Sequence, residues 1–384
     1  MTDATPRPLW IGTYPRPGTA PGSGEGVHRV DVDPADGTVR AERLVAAVPS
    51  PAFLALHPSG RTLYAVSETP AGTLSAFRLD GPEGDAAPVV SGAVASGGDD
   101  PCHVLALPDA VWVANYGDGV AATLPADPGS GDLGAEAVTT FPGAGSGPVA
   151  ARQGGPHAHF VAAAGDDVVV SDLGADVLRR YPASPAADGA TDEAADGGAD
   201  EAGGEVVATL PPGTGPRHLV TLPDGSLVVV GELDARVHVL TPDGDGWVPS
   251  SAAPVSAGAA AGTDFASHVT LSADGTRLHV GVRGSDVLAV HRVRYPAGSS
   301  GAPTTEHLAD VPLGEGAWPR HHAVVSTPAG TGGAAGATPA TELVVVALQG
   351  TSELATVRVD TTTGRGEVVS RYGLPTPPAC VLEA

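Results

Sequence analysis

Short apolar runs rich in Val, Leu and Ala alternate with clusters of Gly, Pro, Asp and Ser along the whole chain. One unit recurs: a Pro, a short apolar strand, a turn, then a second apolar strand with a polar end. Phe53-Leu54-Ala55-Leu56 leads through Pro58-Ser59-Gly60 to Leu63-Tyr64-Ala65-Val66, and His218-Leu219-Val220 leads through Pro223-Asp224-Gly225 to Val228-Val229-Val230. No long apolar segment of helical period with caps interrupts this pattern, so the chain reads as all-β. First strands begin at 53, 103, 159, 218, 268 and 322, and these intervals of 50 to 59 residues suit four-stranded propeller blades. A seventh blade is split. Cys380-Val381-Leu382-Glu383 supplies its first strand, Leu9-Trp10-Ile11-Gly12-Thr13 its second and Gly26-Val27-His28-Arg29-Val30 its third. The pattern predicts one domain over residues 1–384: a seven-bladed β-propeller closed by the C-terminal strand pairing with N-terminal strands.

Composition narrows the function. A formal charge of −24 argues against nucleic acid and against an anionic membrane surface as partners. No apolar run is long enough for a transmembrane helix. Met1-Thr2-Asp3-Ala4-Thr5-Pro6 lacks the basic-then-apolar pattern of a signal peptide, so a cytoplasmic location is expected. Cys102 and Cys380 do not make a disulfide framework. All 20 basic residues are Arg, which excludes Schiff-base chemistry through Lys. Residues 183–205 carry seven acidic residues and no basic one, and read as a surface loop; 327–340 reads as a second loop.

Antiparallel pairing puts the start of each first strand at the same rim as the end of its second strand. Those positions are polar. The starts carry His103, His157 with His159, Arg217 with His218, His268, and Arg320 with His321 and His322; the ends carry Glu68, Asn115, Asp172, Glu232 and Arg283. Five of the seven first strands thus open with His at what reads as an equivalent position, where Phe53 stands in the first blade. Buried charge is costly unless paired, so this convergence predicts a site at one mouth of the channel. Arg217 and Glu232 flank the Pro223-Asp224-Gly225 turn at similar distances, which predicts that they meet at that rim. His157-Ala158-His159 has a two-ligand metal spacing, but spacing marks no third ligand and nearby Arg would repel a cation. No metal and no cofactor are expected. Gly145-Ser146-Gly147 is not a nucleophile elbow, and Gly213-Thr214-Gly215 opens no helix to hold a phosphate.

At these same residues the chain resembles the lactonase family of seven-bladed propellers, which includes propeller-type 6-phosphogluconolactonases and fungal carboxy-muconate lactonizing enzymes. The resemblance runs from Ile11-Gly12-Thr13-Tyr14 through Pro101-Cys102-His103, Asn115-Tyr116-Gly117, Arg152-Gln153, Pro156-His157-Ala158-His159 and Asp172-Leu173-Gly174. It continues through Gly215-Pro216-Arg217-His218, Glu232-Leu233, Arg283-Gly284 and Pro319-Arg320. It implies a catalytic set of His157 or His159, Arg217, Glu232 and Arg283, with His103, Asn115, Arg152, His218, His268, Arg320 and His322 around the substrate. Gly281-Val282-Arg283 departs from the family, which often has a polar residue before that Arg. The activity implied is hydrolysis of a sugar lactone, with 6-phosphogluconolactone preferred, by a monomer or weak homodimer acting on a small anionic substrate. A lactone-forming cycloisomerase on a muconate-type dicarboxylate, and a non-enzymatic propeller that binds a metabolite or protein, are the alternatives.

Overall fold

The computed structural model describes residues 5–80, 88–134, 138–184, 204–296, 301–325 and 340–384. The two loop segments expected at 183–205 and 327–340 lie almost wholly outside them. The described strands form seven four-stranded antiparallel sheets, each with its strands in sequence order apart from the split one. These are the seven propeller blades. The first strands are Pro51–Leu56, Pro101–Ala106, Ala158–Ala164, Pro216–Thr221, Phe265–Leu271, Pro319–Val325 and Pro378–Glu383. They start one to three residues earlier than the apolar pattern suggests. In five cases the extra residues begin with a Pro, which lacks a ladder donor and is tolerated at a strand's first position. The last strand pairs with Arg7–Thr13, Ile11 facing Val381 and Gly12 facing Cys380, so the split blade is joined as the sequence predicts.

By internal contacts the chain forms two compact units: Met1–Pro51, His218–Asp243 and Trp247–Ala384 make the larger, and Ala52–Arg217 with Gly244–Gly246 the smaller. Within each, adjacent blades pack face to face through their second and third strands. Second strands such as Thr62–Ser67, Ala110–Asn115 and Arg277–Arg283 are buried along their whole length. A strand covered on both faces has no polar side to show, hence the continuous Val and Leu runs. The outermost strands, such as Val89–Ala95 and Gly246–Pro254, are largely exposed. In the larger unit Val228, Val230, Val237 and Val239 pack on Val280, Val282 and Ala289. In the smaller unit Trp112 stacks on Phe141 at 5.4 Å and lies 5.6 Å from Tyr181.

One irregularity positions the chemistry. Pairing between first and second strands slips by one residue between Pro101 and His103, Ala158 and Phe160, Pro319 and His321, and Gly12 and Thr13 opposite Cys380. Each slip is a β-bulge, which leaves one extra residue on the first strand: Cys102, His159, Arg320 and Ala379. A bulge re-aims that side chain and shifts every later one by a position.

Candidate active site

In the larger unit the polar strand ends build a compact corner. Glu232 follows the strand Leu227–Gly231 and is 3% exposed; Arg283 ends Arg277–Arg283 and is 6% exposed. Arg283 Nη2 lies 2.8 Å from Glu232 Oε2, an ion pair between neighbouring blades. Arg283 also donates from Nε to the Phe265 carbonyl at 3.4 Å and from Nη2 to the Ala266 carbonyl at 3.2 Å. Its Nη1 makes no hydrogen bond among the described residues. The guanidinium lies 5.6 Å from the ring centre of Trp318, whose ring is 6.2 Å from Phe265. Burying two charges is costly, and pairing them offsets part of that cost. Half-buried Arg320, on its bulge, stacks over Tyr14 at 4.8 Å.

Histidines of the larger unit form a cluster of their own. His218 and His268 share a hydrogen bond between their Nδ1 atoms at 2.7 Å, so one donates and the other accepts. His268 stacks on His321 at 3.7 Å, and His321 Nδ1 accepts from the Val381 amide at 3.2 Å. His322 takes the opposite side of its strand. It is 1% exposed, bonds the Thr270 hydroxyl through Nε2 at 3.0 Å, and burial holds its pKa well below the usual imidazole range. His321 stacks within the cluster, and His322 meets the His268 ring edge-on at 4.9 Å from the other side of the strand. Repetition of Pro216-Arg217-His218 as Pro319-Arg320-His321 is the sequence signal that marks His321.

The smaller unit holds a second polar corner. His157 donates from Nδ1 to the Tyr116 carbonyl at 2.7 Å and stacks on the Tyr116 ring at 4.4 Å. That donation leaves the lone pair on Nε2 of a half-buried ring. The His157 amide donates to Asp172 Oδ1 at 2.9 Å, and Arg179 lies 3.4 Å from Asp172 Oδ2. Burial raises the Asp172 pKa against the pull of these donors. Arg152 Nη2 donates to the Tyr116 hydroxyl at 3.2 Å. His159, on its bulge, is buried; its Nδ1 is 3.8 Å from Cys102 Sγ. Arg217 is 2% exposed, and its carbonyl accepts from the Ser171 hydroxyl at 2.7 Å.

Two residues expected around the substrate, Asn115 and His103, also bond and pack within the fold. The Asn115 amide donates to the Ser96 and Val120 carbonyls at 3.3 and 3.0 Å. His103 lies between Phe53 and Phe160, with ring centres at 4.2 and 4.0 Å, and its Nδ1 accepts from the Val161 amide at 3.2 Å. Burial, with Arg217 adding to it, lowers its pKa to about 3, so it is neutral at physiological pH. Phe160, not His159, is the register equivalent of His103, because the third-blade bulge falls on His159. The expected set of five equivalent histidines thus becomes four. Among the described residues, no group of three or more His, Cys, Asp or Glu is placed to hold a metal.

Comparison with known proteins follows the same lines. The sequence model of the family described as "Lactonase, 7-bladed beta-propeller" matches residues 8–382. A solved structure from Bacteroides uniformis, provisionally named a 6-phosphogluconolactonase, shares 25% identity at a TM-score of 0.78, covering 99% of this chain and 100% of that one. The periplasmic gluconolactonase of Pseudomonas aeruginosa shares 25% identity at a TM-score of 0.78, covering 99% of each chain. A Bacteroides fragilis protein, also provisionally named a 6-phosphogluconolactonase, superposes with a TM-score of 0.77 at 21% identity over 100% of this chain and 99% of that one. No curated protein sequence matches the chain.

Proposed function

The chain belongs to the lactonase family of seven-bladed β-propellers, and from that premise we propose that it hydrolyses a sugar lactone, with 6-phosphogluconolactone the preferred substrate. One observation carries the reading: the buried Glu232–Arg283 pair, in which Arg283 keeps Nη1 out of every described hydrogen bond. A guanidinium fixed on two carbonyls and a carboxylate is already oriented, so a remaining N–H meets an anion without reorganising. The names of the Pseudomonas aeruginosa and Bacteroides uniformis structures support a gluconolactone-type substrate.

In this reading water adds to the lactone carbonyl carbon, and Glu232 takes the proton that water loses. Arg283 Nη1 stabilises the oxyanion. Collapse of the tetrahedral adduct breaks the ring C–O bond, the ring oxygen receives the proton, and the product is an open hydroxy-carboxylate. General base catalysis is typically worth about 10²–10⁴-fold, and one oxyanion donor about 10²–10³-fold. Glu232 is a weaker base for being paired, since a nearby cation favours the ionised form. The pair therefore suits a carbonyl as reactive as a strained lactone ester.

The test is proton release at constant pH from purified protein with 6-phosphogluconolactone, gluconolactone and a muconolactone, spontaneous hydrolysis subtracted. Acceleration of the sugar lactones supports the proposal. Turnover of the muconolactone alone transfers the site to the cycloisomerase class, and no acceleration of any of them removes the enzyme reading.

A further inference from the structure

The turn before the first strand is built alike in two blades. In the smaller unit Asp176 accepts from the Gly213 amide through Oδ2 and from the Gly215 amide through Oδ1, both at 2.7 Å. In the larger unit Asp286 accepts from the Gly316 amide through Oδ2 at 2.7 Å and from the Trp318 amide through Oδ1 at 2.9 Å. Gly215 and Trp318 thus stand at the same place, each followed by Pro-Arg-His. The backbone there is left-handed, with φ of 59° at Gly215 and 50° at Trp318. Two further residues that precede a first-strand Pro, Ser50 and Asp100, have φ of 40° and 48°.

Glycine adopts this conformation freely, and short polar side chains tolerate it; a bulky aromatic is disfavoured. Trp318 is also 37% exposed, so the strain is not offset by full burial of its ring. The other tryptophans of the chain are buried or half-buried. What the ring does touch is Arg283, the residue that pairs with Glu232. Strained backbone tends to collect where function requires a side chain in one place.

We propose that Trp318 is the platform on which the substrate's sugar ring lies, a specificity-determining residue for saturated, polyhydroxylated rings. This rests on the lactonase reading. The face of a sugar ring presents polarised C–H bonds, which complement the negative face of an indole. Arg283 holds the indole from one side, so platform and oxyanion donor move as one. Trp318 makes no contact that changes between ground state and transition state, so its contribution is to binding.

Trp318→Gly is the direct test, because glycine takes the left-handed backbone without strain and folding is retained. The expected result is a KM for the sugar lactone raised about tenfold with kcat within twofold of wild type, and a melting temperature that does not fall. Trp318→Phe should recover most of the KM. Acrylamide quenching of tryptophan fluorescence should weaken when gluconate, the product, is added to wild type. An unchanged KM in Trp318→Gly, with wild type active, overturns the platform and leaves the lactonase reading intact. A wild-type enzyme inactive on every lactone overturns that reading, and the platform with it.

Discussion

The larger unit's Glu232–Arg283 corner and the smaller unit's His157–Tyr116 corner use the same materials to opposite ends. In the first, a carboxylate is buried and locked to a guanidinium at 2.8 Å, so its geometry is fixed. In the second, a half-buried imidazole gives its Nδ1 proton to the Tyr116 carbonyl and keeps an open lone pair on Nε2. The first corner fixes the orientation of its carboxylate; the second leaves one ring nitrogen open. The family resemblance implies one catalytic set that holds His157 or His159 together with Glu232. The two side chains differ in what each is already bonded to.

The largest effect that can break this comparison comes from Arg283→Met. It removes the Arg283 half of a buried ion pair, which should cost about 3–5 kcal/mol of stability, and an oxyanion donor worth about 10²–10³-fold in kcat. Thermal unfolding and steady-state kinetics read the two losses separately. The double variant Arg283→Met/Glu232→Gln should regain stability without regaining activity. A lesser effect is expected from His157→Gln, which should lower kcat by less than tenfold if the Glu232 corner carries the reaction. A loss of about 10²–10⁴-fold would instead make His157 the base.

The smallest effect concerns stability alone. His103 is neutral in the fold with its pKa lowered to about 3 from 6.5, so between those values the unfolded chain binds a proton that the folded chain does not. Stability should therefore fall as pH drops below 6.5, with a slope of about 1.4 kcal/mol per pH unit for that one proton. His103→Phe, set between Phe53 and Phe160, should flatten the acid limb by about one proton, read by chemical unfolding across pH. An identical acid limb in the variant would show that His103 does not set it.

Much of this was legible in the sequence because propeller blades repeat. Turns such as Pro58-Ser59-Gly60 and Pro223-Asp224-Gly225 mark hairpins where Gly60 and Gly225 have φ of 71° and 84°, and the joined blade follows from the leftover strand at Cys380. Side-chain direction was harder to read. A bulge inserts one residue without changing composition, so His159 looked equivalent to His103 although Phe160 takes that place. The adjacent pair His321-His322 is one polar signal in sequence but points to opposite sides of a strand. A count along one hairpin places Glu232 at the rim but sees only its own blade. The ion pair of Glu232 with Arg283 comes from the next blade, a contact no local count contains. Trp318 escaped notice because only its backbone φ distinguishes it from an ordinary exposed aromatic.

The most direct test of the central claim is the rate of 6-phosphogluconolactone hydrolysis by Glu232→Gln beside wild type, at constant pH, with spontaneous hydrolysis subtracted. Gln keeps the shape and can still bond Arg283. The account predicts that kcat falls by about 10²–10⁴-fold while KM and the melting temperature stay close to wild type. Full activity in Glu232→Gln, or a lost melting temperature with kcat preserved, would make the Glu232–Arg283 pair a structural clasp and contradict it.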